Sequence, residues 1–335
     1  MFSIRAAAEQ LPGILPFNAV QASERNIGYG HLIHPSSVFA LPRGKGRILD
    51  EEQQRLAPSA AWSLPIAKPT ESLSDLATRA ATALRDSVGH EVMEQTTHII
   101  VVHTTLNQQI VESVAGRVQF HLDLKRAMPC AIGQTGSIGM YAALPLIQGL
   151  LQDSRQILLI AADKWLYPFF RVFGNFVAYG DGAAAMLFRR GDTSEDVGQV
   201  LGFALEIGNN IDDPWGQKPE ALGSRLLPGV MQACKKAIQQ ACIQAKDIEQ
   251  FISPSFNEQF TGMVSDELGI DRHQRQPHTE LGHLSSAESP IALIRARQAM
   301  KSGEHRTALI WDVGLCGMAG AMVVRLRGSK TTSIQ

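Results

Sequence analysis

The stretch Gly180-Asp181-Gly182-Ala183-Ala184-Ala185-Met186-Leu187-Phe188-Arg189-Arg190-Gly191 returns in altered form as Gly317-Met318-Ala319-Gly320-Ala321-Met322-Val323-Val324-Arg325-Leu326-Arg327-Gly328. Gly180/Gly317, Ala184/Ala321, Arg190/Arg327 and Gly191/Gly328 are identical. Each copy holds a short continuous apolar run, as expected of a strand buried on both faces. Upstream of the first copy, Gln156–Ala162 and His98–His103 are further runs of this kind. Leu73, Leu76, Ala77, Ala80, Ala81 and Leu84 recur at helical spacing. Residues from about 108 to 121 and from 138 to 152 also read as helices, the latter with Pro145 as a predicted kink. The second half repeats this order: a helix over Leu226–Gln244, extended chain at Glu249–Ser253 and a helix at Asn257–Leu268. A helix at Ser289–Lys301 and strands at Thr307–Trp311 and Ala319–Leu326 complete it. The repeated order of elements predicts two related α/β halves facing each other, residues 1–191 and 192–335.

Composition agrees with a large buried core. At 335 residues about three-quarters of the unfolded chain's surface is expected to be buried. Apolar residues make up 44% and charged residues 19%, which excludes a disordered chain. With 31 Lys+Arg against 32 Asp+Glu the surface has no overall field to steer it to nucleic acid or an anionic membrane. Cys130, Cys234, Cys242 and Cys316 are too scattered for a disulfide framework, and the ten His show no metal-ligand spacing. Arg5 and Glu9 interrupt any apolar leader, and no apolar run reaches bilayer length. A cytoplasmic protein without a metal is expected. From Asn18 to about Thr70 the chain is irregular and rich in Pro, Gly, Ser and Arg. Such a surface excursion either covers a site or is a solvated loop.

Two α/β halves with Tyr179-Gly180-Asp181-Gly182-Ala183 closing the first resemble the thiolase superfamily, and more narrowly β-ketoacyl-ACP synthase III (ketosynthase III). Three further stretches fall in the order of that family: Gly133-Gln134-Thr135-Gly136-Ser137-Ile138-Gly139-Met140, Gly282-His283-Leu284-Ser285-Ser286-Ala287 and Gly314-Leu315-Cys316-Gly317-Met318-Ala319-Gly320. The match runs from about Glu71 to Arg327, with a trace at Ile4–Pro12. The resemblance implies a five-layered αβαβα fold with duplicated halves, and a dimer formed through the first half, with the strand near His98–Thr104 at an open edge.

The resemblance also fixes where the chemistry is expected, and the sequence departs from the family there. The family's nucleophilic Cys is matched by Ser137, its His by Ser255 within Phe251-Ile252-Ser253-Pro254-Ser255, and its Asn by His283. Leu315 and Cys316 replace two glycines of the Gly-rich loop. At a helix N-terminus Ser137 reads either as an N-cap or as the nucleophile. A serine hydroxyl attacks at neutral pH only with a general base, and the resemblance offers His283. Ser255 is expected to hydrogen-bond His283 or to fill the vacated space. Backbone N–H groups of Ser137 and Leu315 match the family's oxyanion hole. Cys130 reads as a buried structural thiol and Cys316 as a pocket residue.

The family's His and Asn together stabilise the enolate of decarboxylative condensation. With Ser255 and His283 in their places, transfer of a preformed acyl group is the expected reaction. The acyl group would come from acyl-CoA or an acyl carrier protein, used as substrate with no other cofactor. It would pass through Ser137 to a nucleophilic acceptor in specialised metabolism. The second expectation is a non-catalytic subunit that stabilises an active ketosynthase homologue in a heterodimer.

Overall fold

A computed structural model describes residues 2–16, 63–107, 111–165, 171–173, 175–208, 211, 219–276 and 281–329. Most of the excursion expected over 18–70 lies outside the described residues. The strands are β1 (Phe2–Gln10), β2 (Ile14–Pro16), β3 (Ser63–Pro65), β4 (Thr96–His103), β5 (Met128–Gly133), β6 (Gln156–Asp163), β7 (Val172–Phe173) and β8 (Val177–Ala178). They continue with β9 (Gly182–Arg190), β10 (Gly198–Ile207), β11 (Gln250–Ile252), β12 (His305–Val313) and β13 (Met318–Arg327). The main helices are α1 (Leu73–Val88), α2 (Val114–His121), α3 (Gly139–Leu150), α4 (Pro219–Gln240), α5 (Glu258–Leu268) and α6 (Glu288–Gln298).

Among the described residues the large sheet has the order β11-β12-β13-β10-β1-β9-β6-β4-β5. Its continuity rests on a narrow seam. Strand β1 pairs with β9 from Phe2 to Gln10 but with β10 only at Phe2, Ser3 and Ile4. The seam divides the sheet into β1-β9-β6-β4-β5 and β10-β13-β12-β11.

Alternation within single strands assigns the layers. Ile157, Leu159 and Ala161 of β6 join the central core, whereas Leu158, Ile160 and Ala162 join an outer core with α1 and α2. In the other half-sheet Ala308 and Ile310 of β12 enter the central core, and Leu309, Trp311 and Val313 enter an outer core with α4 and α5. Helix α3 supplies Met140, Tyr141, Ala143, Leu144 and Ile147 to the central core, and α6 supplies Ile291, Leu293, Ile294 and Ala296. Helix α3 contacts β4, β5 and β6 on one side and β10 and β13 on the other. The layers are therefore α1/α2, half-sheet, α3/α6, half-sheet, α4/α5, which is the five-layered thiolase fold.

Local chemistry accounts for the elements. Helix α1 starts on a capping box: Ser72 Oγ accepts from Asp75 N at 3.1 Å, and Asp75 Oδ2 accepts from Ser72 N at 2.7 Å. Its buried face is Leu73, Leu76, Ala77, Ala80, Ala81 and Leu84, the positions picked out by periodicity. Helix α3 continues through Pro145 to Leu150. Strands β1, β5 and β10 are additions to the sequence reading. The first is broken by Arg5 and Glu9 and the second by Pro129. The third is apolar in its middle, Val200-Leu201-Gly202-Phe203-Ala204-Leu205, and partly exposed in the structure. Because β5 lies outside β4, the His98–Thr104 strand is interior. The open edge of this half is Met128–Gly133.

Candidate active site

The chain approaches Ser137 through positive-φ backbone at Gln134 (60°) and Gly136 (62°). A side chain on Gly136 would lie 3.2 Å from Gly314 Cα, so this turn packs directly on the loop after β12. Ser137 sits in a single 3-10 turn, Gly136–Ile138, that runs into α3. It does not cap the helix. Its hydroxyl, buried, has Asp312 Oδ1 and the Val313 carbonyl as acceptors, each at 3.0 Å. One hydroxyl hydrogen thus serves two acceptors supplied by the other half of the molecule.

Asp312 occupies the penultimate position of β12, opposite Gly320. Its carboxylate is fully buried. Oδ1 accepts from Ser137 Oγ (3.0 Å), from His283 Nε2 (3.2 Å) and from Val313 N (2.7 Å). Oδ2 is buried without a hydrogen-bond partner among the described residues. Burial pushes this carboxyl above the usual carboxylate range, and the His283 ring pulls the other way.

His283 is held by backbone on both sides: its N–H donates to Ala178 O (2.7 Å) and its carbonyl accepts from Gly180 N (2.9 Å). Tyr179 meets its ring edge-on at 5.4 Å, and Phe256 lies at 4.9 Å. Nδ1 accepts the N–H of Ser285 at 2.9 Å, which places the proton of the neutral ring on Nε2, facing Asp312. Burial lowers the basicity of this imidazole, but the Asp312 and Glu288 carboxylates outweigh it and raise the pKa above the ordinary value. In the neutral ring Nε2 carries a proton and the Nδ1 lone pair is engaged. In the charged ring both nitrogens carry protons. Ser137 and His283, expected as a pair, are brought together through a common partner, both side chains meeting on Asp312 Oδ1.

Ser255 turns elsewhere. Its N–H and hydroxyl donate to Glu288 Oε1 at 2.8 and 2.7 Å, and Glu288 Oε2 accepts from Leu284 N at 2.8 Å. Glu288 therefore ties the Ser255 loop to the His283 loop, and Ser255 does not bond the ring of His283. Asp163 at the end of β6 adds a second tie, accepting from Thr104 N (2.8 Å), Thr105 N (2.7 Å) and Ser286 N (2.8 Å). The Gly-Asp-Gly-Ala turn holds structure together, since Asp181 receives Arg171 through two nitrogens (2.9 and 3.2 Å), Ala67 N (2.8 Å) and Trp165 N (2.9 Å). Leu315 lies in the turn closed by Gly317 N on Gly314 O at 2.8 Å, next to the carbonyl that Ser137 reaches. Cys316 is half-buried in the same turn. Cys130 is half-buried on the edge strand β5, and burial pushes its thiol up.

Asp312 and Glu288 are the residues that sequence reasoning passed over. Asp312 had a signal: it is a carboxylate directly following the apolar run Ala308–Trp311, where an unpaired charge is costly. Among the described residues no three of His, Cys, Asp and Glu gather as metal ligands. No helix among them is long and apolar enough to cross a membrane.

Residues 238–326 match the family model for the C terminal of 3-oxoacyl-[acyl-carrier-protein] synthase III. A search of curated proteins by sequence gives no match. Solved structures match over nearly the whole chain. The acyltransferase ChlB3 is 18% identical at a TM-score of 0.69, with 98% of each chain covered. 3-Oxoacyl-(acyl carrier protein) synthase III, FabH, from Pseudomonas aeruginosa PAO1 is 20% identical at 0.69, with 98% of each covered. A variant of OleA from Xanthomonas campestris is 15% identical at 0.71, covering 97% of this chain and 98% of its own.

Proposed function

From a chain that is ketosynthase-III-like in fold throughout and in sequence over residues 238–326, we propose an acyltransferase that carries a preformed acyl group on Ser137. The observation that carries this reading is the Ser137 hydroxyl itself. It stands at the start of a buried helix, is not spent on capping, and donates to a buried carboxylate. The positive end of the helix dipole favours negative charge developing there. The N–H groups of Ser137 and Leu315 are the proposed oxyanion donors. The donor is an acyl-CoA or an acyl carrier protein, and the acceptor an amine, alcohol or thiol of specialised metabolism. The ChlB3 likeness supports transfer as the reaction class.

Decarboxylative condensation fits less well. An enolate needs preorganised donors, and here Ser255 is engaged by Glu288 while the Nε2 proton of His283 is engaged by Asp312. Labelled malonyl thioester supplied with an acyl donor should yield neither carbon dioxide nor a β-ketoacyl product. With a panel of acyl-CoAs and acyl carrier proteins, intact mass should rise by one acyl group in the wild type and stay unchanged in Ser137→Ala. An adduct that persists in that variant, or maps to Cys130 or Cys316, overturns the assignment.

The loss of the family's Cys, His and Asn side chains favours a second reading, a non-catalytic subunit. The open β5 edge, with Met128 62% exposed and Phe120 of α2 81% exposed, would seat either a second copy or a related ketosynthase. Inertness with every donor, together with binding to a ketosynthase partner, decides for this reading.

A further inference from the structure

We infer that Asp312 is the general base for Ser137 and that His283 is a positioning residue behind it, an inference that rests on Ser137 being the acyl-carrying nucleophile. This inverts the order in which a serine donates to a histidine and the histidine to a carboxylate. Three observations lead to it. The Ser137 hydroxyl donates to Asp312 Oδ1. His283 has no free lone pair, because Nε2 faces Asp312 and Nδ1 accepts the Ser285 N–H. Asp312 Oδ2 is buried and has no hydrogen-bond partner among the described residues, leaving the carboxylate acceptor capacity there.

The proton balance closes on these residues. Ser137 Oγ bonds to the carbonyl carbon of the acyl thioester as its proton passes to Asp312. The C–S bond breaks, and the departing thiolate takes the proton from the Asp312 acid. In the second half-reaction the acceptor's N–H, O–H or S–H proton passes to Asp312 as its lone pair attacks the ester. The C–Oγ bond then breaks, and Ser137 recovers a proton from Asp312. The carboxylate starts and ends each cycle ionised.

Burial equips an ordinary carboxylate for this, since a base works best when its pKa lies near the working pH. The groups facing Asp312 are His283, Glu288 beyond it, and the Tyr141 and Tyr179 phenols. Burial keeps both phenols neutral, far above their ordinary range. The acid limb of the rate profile therefore belongs to the Asp312–His283 pair.

The test uses two probes of Ser137, an alkyl fluorophosphonate and the acyl-CoA panel, with circular dichroism to match the folds. The wild type should be labelled at Ser137, faster as pH rises, with a midpoint above about 4, the ordinary carboxylate value. Asp312→Asn should slow labelling by about 10²- to 10⁴-fold. His283→Phe removes a donor to the carboxylate without removing the base. It should keep labelling within about tenfold of wild type and move the acid midpoint upward. Asp312→Asn reacting like wild type overturns the inference, as does loss of labelling confined to His283→Phe, or a wild-type Ser137 that resists the fluorophosphonate at every pH. Should Asp312→Asn fail to fold, an unshifted midpoint in His283→Phe overturns it equally. Fluorophosphonate labelling that depends on Asp312, without acyl adducts from any thioester, supports the base and removes the acyl-transfer reading. Acyl adducts indifferent to Asp312 do the reverse.

Discussion

Buried charge in this protein persists where several donors converge on it, and Asp181 is the clearest case. Its two oxygens receive the Arg171 guanidinium and the N–H groups of Ala67 and Trp165, with Asp181 itself fully buried. Removing one partner of such a pair leaves the other charged and dry, a loss of about 3–5 kcal/mol. Asp181→Ala should therefore shift the urea midpoint strongly downward. Asp86→Ala, whose exposed carboxylate on α1 meets the neighbouring Arg85, should stay within about 0.5 kcal/mol of wild type. Equal effects in the two variants would refute this ranking. The same contrast explains what was readable at single positions. Ser137 and His283 were legible because glycine-rich stretches flank them in family order. Their shared partner was not, because Asp312 meets Ser137 and His283 only through tertiary packing, and no local spacing encodes that meeting.

Among the elements, α1 offers a pH test of its cap. Burial pushes the Asp75 carboxyl up, but hydrogen bonds from the Ser72 backbone and side chain and the nearby Arg117 outweigh it and hold it below its ordinary value. A depressed carboxyl adds stability above its unfolded pKa, about 3.9, that is lost as pH falls through the lower folded value. Ser72→Ala should cost about 1 kcal/mol at pH 7, and the difference should shrink below about pH 4. A penalty constant from neutral pH down into that acid range would separate the cap from Asp75 ionisation. The contact of α3 with β13 gives a packing test. A Cβ on Gly320 would fall 2.3 Å from Tyr141 Cγ, and Tyr141 is itself tied to Ser289 Oγ at 2.9 Å. Gly320→Ala should cost about 1–3 kcal/mol by overpacking, read from the denaturation midpoint. Apolar runs and helical periodicity made most elements legible. Strands β1 and β5 are defined by backbone pairing rather than composition, since Arg5, Glu9 and Pro129 break their apolar pattern. Strand β10 is apolar from Val200 to Leu205 with Gly202 inside it, a residue that weakens a strand signal.

At the scale of the whole molecule the open edge at Met128–Gly133 leaves one face of the β5 backbone unpaired within the described residues. Such an edge invites pairing with another chain. Light scattering at micromolar concentration should give twice the monomer mass, and Ala131→Pro, which removes a backbone donor, should lower it. A monomer in the wild type, alone and with any related ketosynthase, would leave the edge without an occupant. The hydrogen bond from Ser137 to Asp312 spans 175 residues of sequence, and this separation has a temporal meaning. On the ribosome the serine is made long before its carboxylate, and contacts so far apart in sequence close slowly. Every nascent, stalled or truncated chain ending before residue 312 carries the hydroxyl without the Asp312 carboxylate. Activation of Ser137 by that route is therefore withheld until synthesis is nearly complete and the two halves have met.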